Sequence, residues 1–383
     1  MKSDVLFVQF WYVSRRYGGA RAFHNGFSHV YNQCENIGDF YWVELPEGGQ
    51  LPIKNGTVYV SVNTYSSLFC ALSWSYEYPD VRFVVGGPLI VMDPNLKGLV
   101  TEKPLRNNIE FSSKTAEEKI FAQSFRNTSW NIDLPPGSDK CVVSFTNLTG
   151  CYWNKCIFCC YDKRGPHYSS VDNLKLDSDR EWMVWLTASS TTPEYMVNEF
   201  HKLEPNVEYH VHLRADVYVL NVLEQVLARC KGDLVFYIGT ECPSNHVLQY
   251  MKKGTTVETN KKIIELIAKY GHKFRINVIL GWDVLTENDV QEVKEFSQHI
   301  GSLPNGCVRL HWLCYPNRDL CHEGVLITSA ESGPYKFQEF FAKPNKKQME
   351  LNFKLKEIYE ENFHVVGCSN VKKLEEIYYN NLD

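Results

Sequence analysis

Short apolar runs alternate with longer, mixed segments through the first third of the chain. Residues 5–10, 57–62 and 81–85 are apolar runs of strand length, and helix-length segments separate them. Buried parallel strands have this continuous apolar character, whereas half-exposed strands alternate apolar and polar positions. The pattern therefore predicts a parallel sheet with flanking helices, a Rossmann-like domain, over residues 1–135. Such a sheet binds ligands at the carboxyl ends of its strands.

A second strand-and-helix region follows a polar stretch over residues 96–140, which is predicted to be a linker because it contains Pro-Pro-Gly at residues 135–137. Further strands are predicted at residues 141–145, 183–187, 208–213, 234–238, 274–280 and 307–313. Their number and rhythm predict a partial (β/α)6 barrel over residues 136–325, in which catalytic groups lie at the strand carboxyl ends. Residues 326–383 are charged and predict a helical C-terminal extension. The fold class is therefore α/β.

Composition limits the classes of partner. The chain has 383 residues, room for two or three domains, and its net charge of −5 gives no overall basic surface for nucleic acid. No apolar run is long enough to span a bilayer. Aromatic residues make up 14% of the chain, which suits a pocket for a peptide or another bulky substrate. Membrane and nucleic-acid partners are therefore not expected.

Four of the thirteen cysteines fall within ten residues, after the first predicted barrel strand. They are Cys151, Cys156, Cys159 and Cys160. Three thiolates in one short loop can hold three irons of a cubane [4Fe–4S] cluster and leave the fourth iron open to a substrate or cofactor. Cys151, Cys156 and Cys159 are the predicted ligands. Cys160 follows Cys159 directly and is expected to point elsewhere.

Two other interpretations of these cysteines remain open. Clustered cysteines can bind zinc, although no second Cys or His pair is evident at a distance. Disulfide bonds are disfavoured because the cysteine count is odd and no signal peptide is expected. The zinc alternative corresponds to a binding scaffold without catalysis.

The cysteine loop resembles the cluster loop of the radical S-adenosylmethionine (SAM) enzymes. That family usually has three residues between its first two cysteines and two between the second and third. Here four residues separate Cys151 from Cys156, whereas the second gap is regular and an aromatic residue, Phe158, precedes the last cysteine. The longer first gap is a departure from the family pattern.

A second resemblance is more specific. In radical SAM families that include cobalamin-dependent enzymes and methylthiotransferases, the fourth barrel strand ends in Gly-x-Glu-Ser. A Leu-x-x-Met-x-Lys-Gly segment and a strand ending in Ile-Leu-Gly follow it. Residues 239–241, 248–254 and 279–281 reproduce this order. Together with the cysteine loop, the resemblance covers residues 141–315.

The resemblance implies a set of SAM contacts. They are Phe158, Ser189, Ser190, Arg214, Glu241, Asn277 and Gly281. Glu241 would accept hydrogen bonds from the ribose or amino group of SAM, and Arg214 would bind its carboxylate. The second barrel strand lacks the family's acidic ending, so hydroxyls at Ser189 and Ser190 are expected to replace it. The alternatives are a solvated Glu241 and a surface ion pair between Arg214 and Asp216.

The first third of the chain resembles the cobalamin-binding domain that precedes many radical SAM barrels. The likeness rests on the strand rhythm and on Val-Gly-Gly-Pro at residues 85–88. The sequence contains no Asp-x-His-x-x-Gly, the motif that gives a histidine to cobalt in some of these domains. Cobalamin is thus allowed but not favoured, and a Rossmann-like domain used for packing or docking is preferred.

The resemblance also implies the chemistry. A reduced cluster would give one electron to SAM, and the resulting 5′-deoxyadenosyl radical would take a hydrogen atom from the substrate. The favoured outcome is L-to-D epimerisation of a ribosomally made peptide, with Cys314 or Cys368 returning hydrogen. Each of these two thiols could instead be structural. The enzymatic alternatives are cobalamin-dependent methyl transfer and peptide splicing or cross-linking.

These expectations define the partners. A precursor peptide and a low-potential electron donor of the flavodoxin or ferredoxin type are expected. Free thiols and an oxygen-sensitive cluster suit a reducing cytoplasm, which is the expected location.

Overall fold

The structure is a computed structural model. It describes residues 5–14, 20–23, 39–44, 50–62, 65–87, 90, 96, 99–101, 103–112, 140–145, 147–148, 150–159, 168–174, 176, 181–186, 188, 190–315, 325–332, 335–367 and 369–380. The chain divides into two compact units. The Rossmann-like unit comprises Met1–Thr146, Ser169–Trp185 and Thr328–Glu339, and the barrel unit comprises Asn147–Tyr168, Leu186–Ile327 and Phe340–Asp383. The three predicted domain boundaries stay a prediction.

Most of the first nine strands belong to the Rossmann-like unit. The elements in this part of the chain are β1 (Val5–Ser14), β2 (Ala20–Phe23), β3 (Asp39–Glu44), β4 (Gly56–Ser61), α1 (Tyr65–Glu77), β5 (Val81–Gly86), β6 (Leu99–Thr101), β7 (Ile109–Phe111), β8 (Lys140–Phe145) and β9 (Glu181–Leu186). Strand β1 pairs in parallel with β3 and β4, β4 with β5, and β5 with β7. Strand β2 pairs antiparallel with β1 and parallel with β8. The predicted parallel sheet is therefore present.

The core of this unit is apolar because its central strands present valine on alternate positions. Val58 and Val60 of β4 are fully buried, and α1 buries Leu68 and Leu72. Strand β5 ends at Gly86, and a Cβ on the next residue, Gly87, would lie 2.7 Å from the carbonyl oxygen of Val62. The Gly-Gly pair thus allows two strand ends to approach closely, with Gly87 at a φ of +103°.

The barrel unit alternates strands and helices. Its main elements are α2 (Pro193–Glu199), β10 (Glu208–Leu213), α3 (Val217–Arg229), β11 (Asp233–Glu241), α4 (Asn245–Tyr250), α5 (Val257–Lys269), β12 (Lys273–Leu280), α6 (Glu287–Gly301), β13 (Gly306–Trp312) and β14 (Cys314–Tyr315). They are followed by β15 (Val325–Ser332), β16 (Tyr335–Ala342), α7 (Lys346–Asn362) and α8 (Ser369–Asn380), of which β15 and β16 are shared with the other unit. Short 3₁₀ helices span Val171–Asn173 and Phe200–Lys202. Strands β10 to β13 pair in parallel and in chain order.

The two faces of this sheet differ in chemistry. The even-numbered residues of β12, from Phe274 to Leu280, are at most 1% exposed, and α5 and α7 pack on this strand. We call the opposite side the inner face. It carries every second residue of the four strands, starting at Glu208, Asp233, Lys273 and Cys307. The inner face is therefore where polar side chains can meet a ligand.

The predicted α/β class is confirmed, and the predicted strands correspond to β8 to β13. Two expectations need correction. The predicted linker contains β6 and β7, and residues 113–139 lie outside the described part. The C-terminal extension contains helices α7 and α8 as expected, but β15 and β16 precede them. Among the described residues, no helix combines the length and apolarity needed to cross a membrane.

Candidate functional site

The cysteine loop follows β8 and is described over residues 150–159. Cys151, Cys156 and Cys159 are half-buried and form no disulfide. The amide of Cys159 donates to the carbonyl of Cys156 at 3.3 Å, which closes a turn between the last two thiols. Gly150 and Asn154 adopt positive φ angles of 74° and 51°, residue types that tolerate this conformation. The loop therefore coils tightly around its cysteines.

Two contacts attach the loop to the segment after α4. The amide of Ile157 donates to Met251 O at 3.2 Å, and Trp153 Nε1 donates to Lys252 O at 2.8 Å. The indole of Trp153 lies so close to Gly254 that a Cβ there would overlap the ring. The glycine of the Leu-x-x-Met-x-Lys-Gly segment is thus required by the close approach of the loop.

Arg214 lies just beyond β10 and is 5% exposed. Its Nε donates to Asp216 Oδ2 at 2.7 Å, its Nη2 donates to Lys253 O, and its Nη1 lies 3.9 Å from Cys156 Sγ. The guanidinium also stacks 4.5 Å from the centre of the Trp153 ring. The ion pair with Asp216 exists but is buried, so the surface-pair alternative is wrong.

Asp216 fixes this arginine in place because its two oxygens have different partners. Oδ1 accepts hydrogen bonds from the amides of Tyr218 and Val219 and so caps the start of α3. Oδ2 accepts from Arg214 and from the Tyr152 hydroxyl, the latter at 2.7 Å. Burial and the adjacent carboxylate raise the pKa of Tyr152. Sequence reasoning treated Asp216 only as a surface partner.

Glu241 ends β11 and pairs with Lys253, with 2.6 Å between Oε1 and Nζ. Both residues are buried, at 8% and 6% exposure, so Glu241 is not a solvated loop residue. A register shift between Gly239 and Glu241 and a φ of 57° at Glu241 turn its side chain over Gly239. A Cβ on Gly239 would lie 2.5 Å from Glu241 Oε1. The glycine therefore makes room for the ion pair.

Lys253 was missed by sequence reasoning, although it is the lysine of the Leu-x-x-Met-x-Lys-Gly segment. Its ammonium lies 5.5 Å from the centre of the Phe158 ring. Burial is the dominant influence and raises the pKa of the Cys156 thiol, while the positive charges of Lys253 and Arg214 oppose this increase. The two cations thus offset part of the cost of forming the thiolate that a soft metal ligand needs.

The end of β12 is held by a residue far along the chain. Asn352 of α7 is fully buried and accepts hydrogen bonds at Oδ1 from the amides of Gly281, at 2.7 Å, and Trp282, at 3.2 Å. Trp282 packs edge-on against Phe158, with 5.8 Å between ring centres. The two aromatic residues thus link the cysteine loop to the strand end that contains Gly281.

Polar atoms without partners lie after the strands β8 and β9. Asn147 Oδ1 accepts from Ala188 N at 3.1 Å, but its buried Nδ2 has no hydrogen-bond partner among the described residues. The same holds, within the described part, for the buried Oγ1 of Thr191. Ser190, which precedes Thr191 in the chain, is buried as well, and its role as a SAM contact stays a prediction. Buried polar groups are normally satisfied, so one unpaired donor and one unpaired acceptor indicate a place for a polar ligand.

The other predicted site residues have varied outcomes. Asn277 lies on the inner face, and its carbonyl accepts from Thr240 Oγ1 at 3.1 Å. Cys314 belongs to β14, but its side chain is not described. Ser189, Cys160 and Cys368 lie outside the described residues.

In the described part of the chain, no three Cys, His, Asp or Glu side chains are grouped to hold a single metal ion. A cubane cluster binds each cysteine through a different iron, so its ligands need not converge on one point.

The sequence matches no protein-family model and no curated protein sequence. Solved structures with a similar fold include two S-adenosylmethionine radical enzymes. One is the cobalamin-dependent S-adenosylmethionine radical enzyme OxsB with aqua-cobalamin and S-adenosylmethionine bound, at a TM-score of 0.54 and 14% identity. The similarity covers 94% of this chain but only 56% of OxsB, so the chain spans little more than half of that protein.

The other is the radical S-adenosylmethionine methyltransferase TsrM from Kitasatospora setae with cobalamin and a [4Fe-4S] cluster bound. Its TM-score is 0.61 at 11% identity, covering 92% of this chain and 90% of TsrM. The chain therefore has the fold of cobalamin-dependent radical SAM enzymes, with a Rossmann-like part and a partial barrel.

Proposed function

We propose that the chain is a cobalamin-dependent radical SAM enzyme, with methyl transfer as its favoured reaction. Cys151, Cys156 and Cys159 would hold a [4Fe–4S] cluster, and Arg214 and Glu241 would bind SAM. The observation that carries the proposal is the contact between Cys156 and the buried Arg214, in a fold shared with OxsB and TsrM. It brings the cysteine loop to the strand ends at which this fold class binds ligands.

The residues present fit a cluster and SAM. The donor set is three thiols on one loop, with two cations beside Cys156 that favour thiolate. The unpaired Asn147 Nδ2 can donate to the carboxylate of SAM, and Thr191 Oγ1 can accept from its ammonium group. When bound, a reduced cluster would supply the electron that cleaves SAM into methionine and a 5′-deoxyadenosyl radical.

The chain's own residues would orient SAM and keep water out. Arg214 is held by Asp216 and Lys253 O, so its guanidinium is already positioned before a ligand arrives. Glu241 can exchange its Lys253 partner for a ribose hydroxyl or ammonium donor of SAM without leaving its buried position. Phe158 and Trp282 provide apolar surface on the side of the cysteine loop. A buried, charged site of this kind makes electrostatic contacts stronger than they are in water.

Cobalamin is favoured more than the sequence alone suggested, because OxsB and TsrM both carry it. The described carboxyl ends of β4, β5 and β7 carry small residues, namely Ser61, Gly86 with Gly87, and Ser112. Small side chains leave space along the edge where open parallel sheets bind ligands. When bound there, cobalamin would carry a methyl group. Peptide epimerisation finds no support in the comparisons.

The test begins with anaerobic purification and reconstitution with iron and sulfide, followed by visible and EPR spectra. We expect the broad absorbance of a [4Fe–4S] cluster and an EPR signal that changes when SAM is added. Added hydroxocobalamin should remain bound through gel filtration. Cys156→Ala should abolish cluster absorbance and SAM cleavage, whereas Cys230→Ala, a half-buried thiol outside the loop, should retain both.

Two outcomes would contradict the proposal. A colourless protein that binds zinc and leaves SAM intact would support the scaffold alternative. A protein that cleaves SAM but does not retain cobalamin would exclude the cobalamin-dependent reaction and return epimerisation to first place.

A further inference from the structure

The middle of the inner face carries positive charge. Register places His212, Tyr237, Arg275 and Cys307 side by side on four strands, and Arg309 lies one level nearer the strand carboxyl ends, beside Asn277. Residues on one level of a parallel sheet point to the same side, so these groups share one surface. None of these residues belongs to the cysteine loop or to the predicted SAM contacts except Asn277.

Among the described residues, Arg275 has no anionic partner. The residue as a whole is half-buried, but its Nε and Nη1 are buried and find no hydrogen-bond partner in the described part of the chain. Its guanidinium lies 4.6 Å from the centre of the Tyr237 ring, which supports the cation but supplies no negative charge. A buried guanidinium with unused donors is costly, and proteins normally pair it.

The carboxylates of the same face are engaged elsewhere or lie at its edges. Glu208, at the start of β10, accepts from Lys273 and contacts His210, at 2.7 Å in each case. Asp233 is exposed at the start of β11. Glu241, at the other end, is paired with Lys253. None of these described carboxylates therefore pairs with Arg275.

Arg309 adds a second cation to this region. Burial lowers the pKa of both His212 and His311 to about 4, and the positive charge of Arg309 contributes to each shift. Both histidines are therefore neutral near pH 7 and can serve as hydrogen-bond donors without adding charge. Arg309 and His212 lie on the same face, with strands β11 and β12 between them.

We propose that the inner face binds an oxyanion of the substrate, a carboxylate or a phosphate, with Arg275 as its main partner and Arg309 as a second cation. The planar guanidinium fork matches either group through two parallel hydrogen bonds. Arg275 pairs in register with Tyr237 of β11. Tyr237 lies two residues, or about 7 Å, along β11 from Gly239, and the side chain of Glu241 lies over Gly239. An anion held there would leave the rest of a substrate extending toward the proposed SAM site. Only the identification of the ligand as substrate rests on the proposed function.

The test measures thermal melting of the full chain, without SAM or reductant, in sodium succinate, sodium phosphate and sodium chloride at equal ionic strength. The equal ionic strength removes general screening as an explanation. The melting temperature of the wild type should rise by about 2–4 °C in succinate or phosphate when the anion exceeds its Kd roughly tenfold. The more effective salt distinguishes a carboxylate site from a phosphate site.

Arg275→Met should abolish the rise, whereas the exposed Arg229→Met should keep it. In chloride, Arg275→Met should melt at or above the wild-type temperature, because it removes a half-buried guanidinium that has two buried, unpaired nitrogens. A purely structural arginine would give a lower temperature. If Arg275→Met does not fold, Arg275→Lys decides, since a reduced rise supports the site and an unchanged rise overturns it.

No rise in either anion, or an equal rise in Arg275→Met, would overturn the proposal. The experiment needs no SAM cleavage, so the two proposals fail separately. Anion binding in a protein that cannot cleave SAM would keep the site and remove the proposed function. SAM cleavage without an anion effect would keep the proposed function and remove the anion site.

Discussion

The two units bury different kinds of polar side chain. In the described part of the Rossmann-like unit, the buried polar side chains are serines, namely Ser61, Ser67, Ser75 and Ser112. The barrel unit also buries hydroxyl and amide side chains, but it buries charged residues in addition, namely Glu199, Arg214, Asp216, Glu241, Lys253, Asp289 and Lys356. A buried hydroxyl costs little when it bonds to a nearby carbonyl, whereas a buried charge costs several kcal/mol unless it is paired.

Not every buried charge indicates a functional site. Asp289 accepts from Thr286 N and Oγ1 and from the Ser244 hydroxyl, so it caps α6 and is fully used by the fold. Arg214 and Lys253 differ because they lie against a half-buried thiol and an aromatic ring of the cysteine loop. The partners of a buried charged residue, and not its burial alone, therefore distinguish a residue of a functional site from one that only stabilises the fold.

The largest expected effect tests whether the charges of the barrel unit hold its fold. Arg214→Ala leaves the buried Asp216 without its cation, so the unfolding free energy should fall by about 3–5 kcal/mol in urea denaturation followed by tryptophan fluorescence. The exposed Arg229→Ala is the control and should cost less than about 0.5 kcal/mol. Equal losses in the two variants would show that the Arg214–Asp216 pair contributes no more than a surface charge.

A second test asks whether Glu241 and Lys253 act as a pair. Lys253→Met leaves the buried Glu241 carboxylate without its cation and should lower the unfolding free energy by about 3 kcal/mol. Adding Glu241→Gln should restore stability to within about 1 kcal/mol of the wild type, because no unpaired charge remains. Additive losses in the double variant would contradict a coupled pair. SAM binding should be lost in the double variant, which lacks the Glu241 carboxylate although its stability is restored, and this separates the role in the site from the role in the fold.

The sequence predicts the strands well because buried parallel strands are continuous apolar runs. It does not predict β2, β3, β6, β7 or β14 to β16. Strands β6 and β7 have three residues each and so lack a readable pattern. β6 is formed by pairing with β16, more than two hundred residues away. Pairing over such a distance leaves no local signal in a three-residue strand.

The cysteines and the two strand-end residues of the site, Arg214 and Glu241, follow from motif resemblance. Lys253 does not, since a lysine in a polar loop is normally solvated. Its burial depends on the missing side chain of Gly239 and on the shift in register at Glu241, which are tertiary features. Asn352 was missed for a similar reason, because it reaches Gly281 from a helix 71 residues further along the chain. Sequence patterns name residue types but not the distant partners that position them.

A third test uses pH to examine His212, a half-buried histidine of the inner face. The pKa of His212 lies at about 4 when folded and 6.5 when unfolded, with burial as the main cause. Between these values the unfolded chain binds a proton that the folded chain does not, so the unfolding free energy falls as the pH decreases from 6.5 to 4. His212→Gln should remove about 2 kcal/mol of the decrease between pH 7 and pH 5, measured by urea denaturation at each pH. An unchanged pH profile would show that His212 is hydrated and that this face is less buried than the structure indicates.

The smallest expected effect tests the other side of the comparison. Ser75 Oγ donates to Leu72 O at 2.7 Å within α1, and this carbonyl lies inside the helix, where a backbone amide can also reach it. Ser75→Ala removes one local hydrogen bond, leaves no charged group unpaired and improves helix propensity. It should therefore lower the unfolding free energy by less than about 1 kcal/mol in the same denaturation assay. SAM cleavage should be unchanged. A loss above about 3 kcal/mol would mean that a buried hydroxyl in the Rossmann-like unit matters as much as the Glu241–Lys253 pair. In that case buried serines would matter as much for stability as buried charged residues, and the contrast between the Rossmann-like unit and the barrel unit would fail.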